Sequence, residues 1–299
     1  MRFTLALGFS QYPDFQTLAR TSEGAGWSSI CMPDTLFFPQ TTQSEYPYAE
    51  TQAIRAFIET ARFLEPIVCM TWMAAVTTRL RFFPNVMKVP MRQPLVLAKA
   101  LNSLAVVSGE RIALGAGLSP WNEDYTYNGV DFAKRGKLMD ECIAILRGAM
   151  SGEYFEYHSE NFDFGPMKMS PVPKKPIPIM VGGHSKPALA RAARLGDGWV
   201  SANTDFATLE RMIQTLNELR GEHGTLGRKD FEIHGMDVGA QTVADFCRLR
   251  DIGVTDACLV PWGMDPTATT DRQLDAIRRF GDEVIAKVGA LTSGPSTPA

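Results

Sequence analysis

Residues 176–200 read PIPIMVGGHSKPALARAARLGDGWV. The apolar run 177–181 predicts a short buried strand, and the Ala/Leu/Arg pattern of 186–195 predicts a helix with Ser185 at its N-cap. The helix stops at Gly196-Asp197-Gly198, and 198–202 predicts the next strand. A strand, a helix and a strand in such quick succession describe parallel strands joined by a crossover helix.

The same rhythm runs outward in both directions. Strands are predicted at 2–9, 28–33, 79–87 and 110–117, with helices at 14–26, 53–76 (interrupted or bent at Pro66), 94–108 and 133–150. Beyond the opening stretch come helix 206–222, strand 231–238, helix 242–252, strand 256–262 and helix 271–288. About eight β-then-α units in a chain of 299 residues suit a closed (β/α)8 TIM barrel, an α/β fold, better than an open sheet. The polar and aromatic segment 151–175 breaks the rhythm and reads as an insertion. The expected organisation is one barrel domain over 1–290 and a disordered tail over 291–299.

Bulk properties exclude several classes. With 45% hydrophobic residues the chain can bury a large core, and its formal charge of −3 gives no basic excess for nucleic acid. No apolar stretch approaches the ~20 residues that span a bilayer, and 1–13 lacks a signal-peptide pattern. Five cysteines without a CxxC pair fit a reducing cytoplasm.

In a barrel, function sits on the loops that follow the strands. Gly115 and Gly117 alternate after the fourth strand, so their missing side chains face one way. That opens the backbone to a flat ring or a phosphate, or simply relieves crowding between strands. The Rossmann fingerprint fails there, because its third glycine falls at Pro120. Gly182 and Gly183 followed by Ser185 form either an ordinary βα turn or an anion site at a helix start. Asp34 falls at the barrel mouth, where a carboxylate binds a hydroxyl, accepts a proton or caps a turn. Trp121, Trp199 and Trp262 lie near strand ends, where a ring can flank a planar ligand. The sequence has no HExxH, no Walker lysine and no GxSxG. Its four histidines show no ligand spacing, so no metal site is expected.

Five segments together carry a resemblance: GAGW (24–27), LEPIVCMTWMAAVTTRLRFFPNV (64–86), PLVLAKALNSLAVVSGERIALGAG (94–117), RGKLMDECIAILRG (135–148) and PIPIMVGGHSKPALARAARLGDGW (176–199). They resemble the luciferase-like monooxygenase superfamily, particularly its oxidoreductases dependent on the deazaflavin coenzyme F420. The resemblance implies a (β/α)8 barrel with the cofactor at the C-terminal mouth. It implies that Gly182, Gly183 and Ser185 hold the cofactor phosphate, with His184 between them among the cofactor-binding residues, and that Leu118 and Ser119 past Gly115 and Gly117 line the way to the ring. It matches Asp34 to an aspartate that binds the ring system, and places Asn85-Val86 where relatives carry a non-prolyl cis peptide behind the ring. Related sugar-phosphate dehydrogenases carry a histidine where this chain has Thr35, and a glutamate where it has Pro120, with Glu123 nearby. Their acid–base pair is therefore not reproduced.

The expected function is hydride transfer between F420 and a small organic substrate, with Thr35, Glu123 and His184 as candidate acids. The alternatives are a monooxygenase using flavin mononucleotide (FMN) from a partner reductase, or a deazaflavin-binding protein without catalysis. The resemblance also implies a homodimer.

Overall fold

The computed structural model of the chain describes residues 1–8, 14–263 and 265–292. The expected elements appear as β1 (Arg2–Ala6), α1 (Phe15–Gly24), β2 (Ser29–Met32), α2 (Thr51–Thr60), α3 (Pro66–Ala74), β3 (Arg81–Pro84), β4 (Met87–Lys88), α4 (Pro94–Val107) and β5 (Leu114–Gly117). A short α5 (Asn122–Thr126), α6 (Arg135–Met150) and strands β6 (Phe155–His158) and β7 (Asp163–Met167) follow. The chain continues through β8 (Ile179–Gly182), α7 (Lys186–Leu195), β9 (Gly198–Val200), α8 (Phe206–Glu222), β10 (Glu232–Gly235), α9 (Val243–Asp251), β11 (Asp256–Leu259), α10 (Thr270–Phe280) and α11 (Ala286–Thr292).

The main sheet is ordered β3-β2-β1-β11-β10-β9-β8-β5-β4, and all its pairings are parallel. β3 and β4 are two halves of one strand, broken at Asn85-Val86, so the nine strands make eight staves. A parallel bridge between Phe82 and Ile112 joins the two ends of the order and closes the barrel. Side chains alternate along each stave. Phe3, Leu5, Ile30, Phe82, Leu114, Ile179 and Trp199 belong to the large core under the helices, whereas Ala6, Cys31, Phe83, Met180, Val200 and Cys258 fill the interior.

Several boundaries differ from expectation. The helix over 53–76 is two helices, because Pro66 starts α3 with its ring at the first turn and residues 61–65 are not helical. The insertion contains the antiparallel hairpin β6–β7, whose pairing is irregular between Phe155 and Tyr157. At the C-terminus α11 runs to Thr292, so Leu291 and Thr292 are helical. The remainder of the expected tail, 293–299, and Phe9 of the expected first strand lie outside the described residues.

The interior is polar at the end where strands begin. Arg2 and Arg81 both pair with Glu232, at 3.1 and 2.7 Å, and Arg2 also pairs with Asp256 at 2.8 Å. His234, fully buried, contacts Glu232 at 2.7 Å and Asp256 at 3.6 Å. Burial pulls its imidazolium down, but Asp256, the Cys258 side chain and Glu232 outweigh that and raise its pKa to about 9. Burial would raise the Glu232 pKa, yet His234 and the arginines drive it far below the carboxylate range.

Candidate functional site

At the opposite end, where the strands finish, lies a cleft of about 690 Å³. That is within the range of small-molecule sites, ~300–1,000 Å³. Its floor is the break between β3 and β4. The Asn85–Val86 peptide is cis, and the Asn85 amide donates to the Met32 carbonyl at 2.7 Å, which ties the break to β2. Val86 projects into the barrel mouth against two glycines. A Cβ on Gly182 would stand 2.6 Å from Val86 Cγ1, and one on Gly117 would collide with Val86 Cγ2. A Cβ on Gly115 would run into the Pro84 carbonyl oxygen. The three glycines therefore make room for the broken strand. Gly115 does not line the cleft, although Gly117 and Gly182 do.

Gly183 has a different reason to be glycine. Its φ is +121°, and a Cβ there would lie 2.8 Å from that of Ala188. Its carbonyl accepts the Trp199 indole N–H at 2.9 Å, which turns the chain into α7. Ser185 caps α7 by accepting the Ala188 amide at 3.4 Å. The first turn of α6 comes to the same end of the cleft with Arg135 and Gly136, beside Ser185, Pro187 and Arg191 of the α7 segment. Arg191 bonds Asp140 at 2.5 Å and the Gly136 carbonyl at 3.1 Å, locking the two helices together. Two helix N-termini and the Arg135 guanidinium favour an anion at this end, whereas Arg191 is paired with Asp140.

Asp34 lines the cleft but is heavily engaged. Arg92 holds both its oxygens, at 2.7 and 2.8 Å, and the Lys88 amide donates to Oδ2 at 2.8 Å. Lys88, two residues past Val86, also lines the cleft, and its Nζ sits 2.5 Å from Asp124 Oδ2. Asp124 is 1% exposed and takes a short hydrogen bond from the Ser119 hydroxyl as well. Ser119 is thus turned to Asp124 rather than to the cleft wall, while its neighbour Leu118 does line the cleft. Neither Arg92 nor the Lys88–Asp124 pair was legible in the sequence, since the pair joins residues 36 positions apart.

Thr35 reaches the cleft wall. Glu123 does not; it accepts the Thr42 hydroxyl at 2.8 Å. His184 is not among the lining residues either. Its Nε2 accepts the Ala202 amide at 2.9 Å, its ring packs edge-on to Tyr48 at 4.7 Å, and burial lowers its pKa. Tyr46, Tyr48 and Trp121 close one wall, with Tyr46 stacked on Trp121 at 5.8 Å. Of the other tryptophans singled out, Trp199 lies in the core under the helices and Trp262 is buried away from the cleft wall.

The luciferase-like monooxygenase profile matches residues 3–238. The chain belongs to the luciferase-like monooxygenase family. An uncharacterised family relative from Mycobacterium tuberculosis (strain H37Rv) is 44% identical over 292 residues, covering 96% of this chain and 100% of its own. The F420-dependent glucose-6-phosphate dehydrogenase of Gordonia bronchialis is 31% identical over 160 residues, 50% of this chain and 47% of that one. Among solved structures, an F420-dependent secondary alcohol dehydrogenase holding an F420–acetone adduct superposes with a TM-score of 0.74 at 14% identity, over 96% of this chain and 99% of that one. The oxygenating constituent of 3,6-diketocamphane monooxygenase from Pseudomonas putida, in complex with FMN, gives 0.59 at 17% identity, over 83% and 70% of the two chains. Among the described residues no helix is long and apolar enough to cross a membrane.

Proposed function

We propose that this luciferase-like protein is an oxidoreductase that uses coenzyme F420 to move a hydride to or from a small organic substrate. The observation that carries the reading is one cleft that joins the Asn85–Val86 floor to the N-terminal turns of α6 and α7. A flavin-like group is a flat ring joined to a phosphate, and this cleft offers a place for each. The preference for F420 over FMN rests on the sequence relationship to an F420-dependent dehydrogenase. FMN remains the second reading, favoured by the FMN-holding monooxygenase of the same fold.

When bound, the deazaflavin supplies or accepts the hydride. The protein's own residues do the rest. The first turns of α6 and α7, with Ser185 and Arg135, hold the phosphate, and Arg191, paired with Asp140, fixes the two helices together. Val86 supports the ring from below, and Asp34 with Arg92 fixes the strand break that presents it. Lys88 supplies the proton. Its ammonium is fixed at one point by Asp124, and among the described cleft-lining groups it combines positive charge with a transferable proton. Beside a carbonyl it would offset the negative charge that grows on oxygen as hydride reaches carbon, then protonate that oxygen. His184 is neutral and engaged, and Glu123 is turned away. Tyr46, Tyr48 and Trp121 keep water off the ring.

Protein loaded with reduced F420 and mixed with a panel of ketones and aldehydes should regain the oxidised chromophore's absorbance without oxygen. Oxidation that required oxygen and followed FMN loading alone would favour the monooxygenase. F420 binding with no turnover across the panel would favour a carrier protein. A homodimer is part of the reading; Val68 and Trp72 of α3 and Val96 and Val107 of α4 are exposed apolar side chains that a second copy would cover.

A further inference from the structure

α2 is a strongly two-faced helix whose large apolar residues are half-buried. None of its ten residues is buried, yet Ile54, Phe57 and Ile58, spaced i, i+3 and i+4, all line the cleft. A helix this short is marginal without packing on its apolar face. Here that face is turned to a cavity. Beneath it lies a second cavity of about 270 Å³, which shares Gly8, Met32, Pro33, Phe57 and Phe63 with the cleft. Phe57 and Phe63 meet edge to face at 6.0 Å between the two spaces.

The charges along the cleft lie elsewhere or are already engaged. Asp34 is held by Arg92, Lys88 by Asp124 and Arg191 by Asp140. Arg135 belongs to the anion-binding end, where it stacks 3.8 Å over Phe132. At the α2 end the one charged lining residue among those described is Arg62, exposed at the border of the smaller cavity.

We infer that the α2 end binds an uncharged, lipophilic substrate whose apolar chain lies under Ile54, Phe57 and Ile58. The inference rests on the deazaflavin reading only in leaving this end of the cleft to the substrate. It separates this chain from the sugar-phosphate dehydrogenase it is related to, because among the described residues no uncommitted cationic cluster lines this end for a phosphate.

The test is calorimetric titration with straight-chain primary alcohols from butanol to decanol, with glucose 6-phosphate as the polar comparison. It is run on the protein alone and on the protein saturated with F420. Affinity should rise roughly three- to fourfold for each added methylene, and glucose 6-phosphate should bind far more weakly than octanol. The variant Ile58→Asp alters a residue outside the core; with its far-UV spectrum unchanged, it should lose the dependence on chain length. Affinity that ignores chain length, or glucose 6-phosphate binding as tightly as octanol, would overturn the inference. If the alcohol series holds but F420 does not bind, the cofactor reading fails and the lipophilic site stands. If F420 binds and the series is flat, the reverse is true.

Discussion

Val86 decides what the glycines around it are for. Gly117 and Gly182 sit where any side chain would meet the Val86 methyls. Gly182→Ala should therefore overpack the mouth, costing about 1–3 kcal/mol of stability and displacing the floor enough to weaken cofactor binding at least tenfold. Val86→Ala in the same chain should recover part of both losses, a coupling that a double-mutant cycle in melting temperature and cofactor affinity measures directly. Alternating glycines were legible in the sequence, but their partner was not, because the strand break brings Val86 to them from another stave. Lys88 shows the same limit. Its letter follows an unremarkable run, and its meaning comes from Asp124, 36 positions away. Lys88→Met combined with Asp124→Asn, which leaves no buried carboxylate unpaired, should lower turnover by about 10²–10⁴-fold. Cofactor affinity should change far less, and stopped-flow reoxidation compared with equilibrium titration separates the two effects.

Elements with strong punctuation were the easiest to read. α7 occupies Lys186–Leu195 as expected, because Ser185, Pro187 and Gly196 mark its ends unambiguously. α8, capped by Asp205, likewise matches its expected span of Phe206–Glu222. The β6–β7 hairpin escaped notice because Gly165 and Pro166 interrupt the alternation that marks a strand. The joint between β8 and α7 carries a prediction of its own. Gly183→Val forces a β-branched residue to φ +121° and against Ala188. Strain of about 1–3 kcal/mol should follow, and the turn that leads to the Ser185 cap should move. Phosphate-bearing cofactor should then bind more than tenfold more weakly, with far-UV circular dichroism still reporting a folded barrel.

Across the whole molecule the barrel has two ends with separate tasks. The strand-final end carries the cleft, and the strand-initial end carries the Arg2, Arg81, Glu232, His234 and Asp256 cluster. The count of β-then-α units gave the architecture, whereas a histidine inside a strand gave no sign of this cluster. His234 holds its proton to about pH 9 in the folded protein, against ~6.5 for an unperturbed histidine. A raised pKa means its stabilisation is complete below about pH 6.5 and is lost as pH climbs to about 9. Melting temperature should fall across that window in the native chain, and His234→Gln should flatten the slope there even though it is less stable at pH 6. The lowered Glu232 pKa acts on the acid side, where stability is lost as pH drops below the carboxylate range. None of this touches the cleft, whose central claim is a deazaflavin site. The direct measurement is a pair of equilibrium titrations, with F420 and with FMN, each followed by quenching of the chromophore's fluorescence. The account predicts saturable F420 binding at micromolar concentrations or below, with FMN clearly weaker. FMN binding more tightly than F420, or neither binding at micromolar concentrations, would contradict it.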